Sequence, residues 1–196
     1  VAYMARVSNP SNQDNKATNE RLIRYLISHD HWSPFEMVNA CVEIQTTRDV
    51  GRQLLRHRSF SFQEFSGRYA AYSGLETARE LRLQDHTNRQ SSLRNSDVDL
   101  QQWWESLVGV LRLQSLDAYR SALSRGVAKE VARALLPEGL VPSNLYMNGN
   151  LRSWIHYWRV RCTPETQKEH RLIAESTRDI ILPLFPNIEK ALENVR

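Results

Sequence analysis

Residues 38–69 read VNACVEIQTTRDVGRQLLRHRSFSFQEFSGRY, and the changes of pattern within them set the fold class. Val38, Ala40, Val42 and Ile44 alternate with Asn39, Cys41, Glu43 and Gln45, the two-residue period of a half-buried strand. Thr47 or Asp49 then offers an N-cap for a short helix to about Arg58, with Val50, Leu54 and Leu55 turned inward. Ser61 to Ser66 reads as extended or loop-like chain, and Gly67 breaks it. No Gly-rich phosphate loop follows this or any other expected strand, which argues against dinucleotide-binding and P-loop architectures.

Helical patterns surround this block. Leu22, Ile23, Leu26 and Ile27 place a helix over 18–28, capped by Thr18 or Asn19 and ended by His29-Asp30-His31. Ser33-Pro34-Phe35-Glu36 reads as a turn. Residues 84–99 are the most polar stretch and are expected to form a surface loop. Asp97 or Asp99 caps a long helix through Leu100, Trp104, Leu107, Leu111, Leu116, Tyr119 and Leu123, closed by Gly126. Ala128 to Leu136 predicts another helix, stopped by Pro137, and Leu140 to Met147 a short extended piece. Asn150 to Cys162 is helical, and Thr163-Pro164-Glu165 is a cap, N1 proline and early acid for a last helix carrying Leu172, Ile173, Ile180 and Leu184. The sum is an α+β fold: one helix-rich domain over 1–196 around a small, mainly antiparallel sheet. The chain opens at Val1 with no initiator Met, and a strand is expected ahead of it.

Of the 196 residues, 41% are hydrophobic and 24% charged, a globular balance. Apolar runs are only a few residues long, so no transmembrane helix and no membrane partner are expected. There is no basic-then-apolar leader pattern, and Cys41 and Cys162 are too few for a disulfide framework and lack metal-ligand spacing. Reduced thiols, a cytoplasmic location and no metal are the expectations. Twenty-six Lys and Arg against 22 Asp and Glu give a net charge of +4, with a pI near 9.3. That excess, mostly Arg, suits specific recognition of anions.

The densest polar constellation runs from Arg56 to Tyr69. Gln53 shares the helix face of Arg56 and His57. Cations at a helix C-terminus are favoured by the dipole alone, so Arg56 to Arg58 can be read as a cap. Ser66-Gly67-Arg68 adds a hydroxyl, a small backbone unit and a guanidinium, a natural phosphate cradle.

Arg56-His57-Arg58, seven residues, then Ser66 resembles the signature of the flavin-dependent thymidylate synthases. Ordered blocks extend the likeness over about residues 2–185: Ala5-Arg6-Val7-Ser8, His31-Trp32-Ser33-Pro34-Phe35-Glu36, Glu130-Val131-Ala132-Arg133 with Leu136-Pro137, and Asn150-Leu151-Arg152-Ser153 leading to Arg161. The resemblance implies reductive methylation of dUMP to dTMP. Methylenetetrahydrofolate would supply the carbon, FAD reduced by NADPH or NADH the electrons, and tetrahydrofolate would leave. It implies a fold of the family's own and a homotetramer whose active sites are shared between subunits. Carried over by position, Ser33, Arg56, His57, Arg58, Ser59, Glu64, Asn150, Leu151, Arg152 and His156 would hold FAD. Gln53, Leu54, Leu55, Arg56, Glu64, Phe65, Ser66, Gly67, Arg68, Arg133 and Arg161 would bind dUMP. Arg161 would be catalytic, favouring ionisation at the pyrimidine N3. His31 lies in a block tied to flavin and folate access.

In the 150–161 helix, Leu151, Trp154, Ile155 and Trp158 form one apolar stripe at 100° per residue. Arg152, His156 and Arg159 form one polar flank, with Asn150 and Arg161 on the other. Trp103, Trp104, Trp154 and Trp158 are expected in the core or an interface. The alternative from another class is a basic nucleic-acid-binding helical module, but no dense Lys/Arg tract or aromatic RNA-binding motif is present, and no nucleic-acid partner is expected. A plain helical scaffold would have no use for clustered Gln53, Arg56, Arg58, Ser66 and Arg68.

Overall fold

The quoted strand and its partners form the centre of a computed structural model, which describes residues 1–193. In chain order the elements are α1 (Ala2–Ala5), α2 (Asn19–Ser28), β1 (Asn39–Thr47), α3 (Arg48–Leu54), β2 (Ser61–Glu64), β3 (Arg82–Gln84), β4 (Ser92–Arg94), α4 (Val98–Ser124), α5 (Lys129–Ala132), β5 (Pro142–Asn150), α6 (Leu151–Arg161), α7 (Lys168–Ile181) and α8 (Pro186–Glu193), with short 3-10 turns between several of them. One three-stranded antiparallel sheet has the order β1-β5-β2. The helix-rich α+β expectation, with a small antiparallel sheet, is met.

The alternation in β1 is real. Asn39, Cys41, Glu43 and Gln45 are exposed, while Ile44 is buried and Val42 half-buried. The central strand β5 supplies Leu145 and Met147, both fully buried. Against this face lie Trp154, Ile155, Tyr157 and Trp158 of α6, Ala174 and Ile181 of α7, and Ile23, Leu26 and Ile27 of α2. The four-residue apolar stripe expected on α6 is buried in full. Asn150 is its N-cap, its Oδ1 accepting from the Ser153 N–H at 2.9 Å. A second cluster packs Leu116 and Tyr119 of α4 against Tyr72, Leu75, Leu136 and Val141.

Several expectations are corrected. The helix after β1 stops at Leu54, four residues before Arg58, and Leu55 is exposed. Gln53 therefore does not share a helix face with Arg56 and His57. The 33–36 turn is a 3-10 turn over Ser33–Met37. The polar 84–99 segment is not simply a loop, because it carries part of the β3–β4 hairpin. The 128–136 helix is only α5 followed by a 3-10 turn, and the extended piece after Pro137 begins at Pro142 and runs to Asn150. Thr163-Pro164-Glu165 starts no helix; α7 begins at Lys168. On α7 and beyond it, Leu172, Ile180 and Leu184 face outward, and His170, Ala174, Thr177 and Ile181 are the buried residues. α4 does begin at its Asp97 cap, whose Oδ1 accepts from Leu100 N at 3.0 Å. It closes before Gly126, at φ +84°. Its Leu107 and Leu111 are exposed, Val108 is buried, and Trp103 is exposed. Among the described residues no helix is long and apolar enough to cross a membrane.

Candidate active site

The candidate residues separate into three groups on one chain. The first lies where the end of α3 meets α6 and α7. Arg161 Nε donates to His57 Nε2 at 3.0 Å, across 104 residues of sequence. Accepting at Nε2 makes His57 a neutral imidazole with its proton on Nδ1. Burial, and then the Arg161 charge, hold the His57 pKa below its ordinary value. The His57 ring meets Tyr157 edge-on at 4.9 Å and His170 at 5.8 Å. His170 Nδ1 lies 3.2 Å from Gln53 Oε1. Gln53 Nε2 donates to Gln167 Oε1 at 2.7 Å. Ser153 Oγ donates to the Ser59 carbonyl at 3.2 Å, tying the RHR segment to the start of α6.

The second group surrounds the Ser66 turn. Arg68 N donates to Ser66 Oγ at 3.3 Å, and the Arg68 guanidinium pairs with Glu130 at 3.0 Å. Lys129 Nζ donates to the Tyr69 carbonyl, so the start of α5, four residues before Arg133, is docked on this turn. A Cβ on Gly67 would stand 2.4 Å from the Tyr72 ring, so the turn requires glycine. Glu64 accepts from Ser143 Oγ at 2.6 Å on the neighbouring strand. Phe65 lines a cleft of about 640 Å³ with Tyr72, Arg79 and Glu169. Arg133 lines a separate one of about 410 Å³ with Arg48, Arg52 and Glu130.

The third group is on the outer flank of α6. Arg152 is ion-paired with Glu36 in the turn that begins at Ser33. The Trp32 ring lies 4.7 Å from His156, and the Arg159 guanidinium 5.2 Å from the same indole. Leu54 and Leu151 are sealed in the core. His31 is exposed beside Tyr25 and His29.

Similarity decides what this geometry belongs to. A family model described as "Thymidylate synthase complementing protein" matches residues 1–187. A probable flavin-dependent thymidylate synthase of Paramecium bursaria Chlorella virus 1 is 46% identical over 193 residues, covering 98% of this chain and 89% of that protein. The flavin-dependent thymidylate synthase of Synechocystis sp. is 47% identical over 193 residues, covering 98% and 88%. The chain belongs to the flavin-dependent thymidylate synthase family. A crystal structure of the UMP/dUMP methylase PolB from Streptomyces cacaoi, bound with 5-Br UMP, superposes with a TM-score of 0.84 at 25% identity, covering 98% of this chain and 89% of that one.

In this member of the family the cationic groups differ in readiness. Arg56 and Arg58 are exposed, with no carboxylate partner among the described residues, whereas Arg68 and Arg152 are already paired. Arg161 spends only Nε on His57, leaving both Nη groups without a protein acceptor among the described residues. Motif reading did not single out Tyr157, Gln167, Glu169 or His170. The available signal was His170 at the head of a buried stripe with Ala174, Thr177 and Ile181, spaced four, three and four residues apart.

The three perturbed imidazoles give a pH prediction. Burial first, then nearby arginines, lower the pKa of His57 and His156, and burial, Arg161 and His57 lower that of His170 to about 4. The unfolded state therefore binds more protons than the folded state between about pH 6.5 and 4, and stability falls as pH falls through that window. Thermal unfolding scans should show Tm dropping across it, and His170→Gln should make the slope shallower. An unchanged slope would show that His170 is not the buried neutral group described.

Proposed function

We propose that the protein converts dUMP to dTMP, with methylenetetrahydrofolate as carbon donor and FAD reduced by NADPH or NADH, releasing tetrahydrofolate. The observation that carries this reading is Arg161 on α6, held by neutral His57 of the RHR motif, with both Nη groups lacking an acceptor among the described residues. Negative charge develops on the pyrimidine when its N3 ionises and C5 becomes nucleophilic. A guanidinium fixed beforehand stabilises that charge without reorganising at the moment of reaction. Neutral His57 suits the task, because a protonated ring would repel Arg161 and could not accept its N–H.

The residues fit an anionic flavin dinucleotide. Among the described residues, exposed Arg56 and Arg58 have no carboxylate partner, and buried Tyr157 Oη has no hydrogen-bond partner. Ser33, Arg56, His57, Arg58, Ser59, Glu64, Asn150, Leu151, Arg152 and His156 would hold FAD, and when bound it supplies the redox chemistry. Asn150 would contribute while capping α6, and Arg152 would have to exchange or share Glu36. Gln53, Ser66, Gly67, Arg68 and Arg133 would place dUMP beside Arg161, with Arg68 exchanging Glu130 for phosphate.

A homotetramer with shared sites is supported by the dispersal of these groups. Among the described residues, Phe65 beside the Ser66 turn and Arg133 line two different clefts, and Arg161 lines neither. The His57–Arg161 bond forms within one chain, so sharing would bring the Ser66 turn or outer α6 flank of one subunit to the Arg161 group of another. Exposed Trp103, Leu107, Val110 and Leu111 on α4 offer apolar surface for assembly. The test is FAD-dependent formation of dTMP from dUMP, with UMP as the parallel substrate.

A further inference from the structure

A chain of hydrogen bonds leads from the β3–β4 hairpin to the Arg161 group. Arg82 Nη2 donates to Glu169 Oε2 at 3.0 Å, and its Nη1 stands 2.8 Å from Oε1 as an ion pair. Burial alone would raise the Glu169 pKa, but hydrogen bonds from Arg82 and Gln167 hold it down to about 2. Glu169 is thus ionised and only accepts. Gln167 must turn its NH₂ toward Glu169, where Nε2 donates at 2.8 Å, and its carbonyl toward Gln53. Gln53 must then present its own NH₂ to Gln167, at 2.7 Å, and its carbonyl to His170, at 3.2 Å. His170 must carry its proton on Nδ1. Its Nε2 is buried with no hydrogen-bond partner among the described residues, which an N–H there would make costly. Every donor in the chain points the same way, and the direction is set by the one member that cannot donate.

We propose that Glu169, clamped by Arg82, fixes through Gln167 the amide orientation of Gln53 and the tautomer of His170, making Glu169, Gln167 and His170 positioning residues of the nucleotide site. Glutamine alone offers a ligand either donor or acceptor by a half-turn of its amide. The relay removes that choice, so the remaining Nε2 proton and Oε1 lone pair of Gln53 stand in assigned places. This rests on the reading of Gln53 as a dUMP contact. It adds that the orientation of this nucleotide contact is set by Glu169 on α7 and its Arg82 clamp, neither of which is among the assigned ligand contacts.

Two measurements test it. In ¹⁵N-histidine-labelled protein without ligand, with the His170 signals identified by their loss in His170→Gln, Nδ1 should be protonated and Nε2 bare at neutral pH. A proton on Nε2 in the wild type would overturn the relay. Glu169→Gln keeps the shape but can donate or accept, so the chain loses its direction. Calorimetric titration of FAD-loaded protein with dUMP should show Kd rising about two- to tenfold, the worth of one misdirected hydrogen bond, with FAD uptake unchanged. In a Gln53→Ala background the same substitution should change Kd by less than about twofold, because the group it orients is gone. An unchanged Kd, or an equal loss in both backgrounds, would contradict the proposal. Failure of the wild type to take up FAD or dUMP would instead count against the proposed function, since the tautomer is read without either.

Discussion

Arg161→Ala should lower kcat by about 10² to 10³ while FAD uptake stays within about twofold of wild type. Removing a preorganised donor from developing charge costs on that order, and a full cation costs no less. The geometry separates the two effects. Arg161 touches the motif only at His57 Nε2, while the RHR backbone is held separately by Ser153 on Ser59 and by the Phe60 N–H on the His57 carbonyl. Arg161→Lys should recover little, since one ammonium cannot both bond His57 and present a planar pair of donors. The His57 pKa should rise in the Ala variant, because the guanidinium is the second cause of its depression after burial. Turnover equal to wild type at saturating dUMP would show that the assigned role is wrong.

Trp154→Ala should be the most destabilising single change in the core, by about 3–5 kcal/mol. Trp154 is fully buried beside the sheet, touching Phe60, Tyr157 and Trp158. Its indole N–H donates to the Ala40 carbonyl at 3.1 Å, so truncation also strips an acceptor on β1. At about 2–4 °C per kcal/mol for a chain of this size, the Tm loss is roughly 6–20 °C. Trp154→Phe, which keeps most of the volume but loses the donor, should lose much less. The check is a thermal scan of the three proteins; a Trp154→Ala transition at the wild-type temperature would refute the packing described.

How far the sequence could be read depended on whether one side of an element faces solvent. β1 and α6 each present one buried and one wet face, and both periods were visible. The Asp97 and Gly126 signals at the ends of α4 are local chemistry and were visible too. The interior of α4 misled, because only parts of that long helix lean on the body of the protein, so Leu107 and Leu111 stay outside. The β3–β4 hairpin was hidden because most of its residues are exposed, leaving no alternation to see. Thr163-Pro164-Glu165 looked like a helix start, but the chain turns there, and Gln167 is delivered to Gln53 before α7 begins. The RHR motif and Arg161 were legible as a likeness to the family. Their meeting was not, since a contact across 104 residues leaves no local pattern. The Glu169–Gln167–Gln53–His170 chain was invisible for the same reason.

The most direct test of the account is a product analysis with the purified protein, FAD, dUMP, methylenetetrahydrofolate and NADPH. dTMP and tetrahydrofolate should form in equal amounts, with no dihydrofolate and no product when FAD is omitted from flavin-free protein. Dihydrofolate formed in step with dTMP, or dTMP formed without flavin, would contradict it.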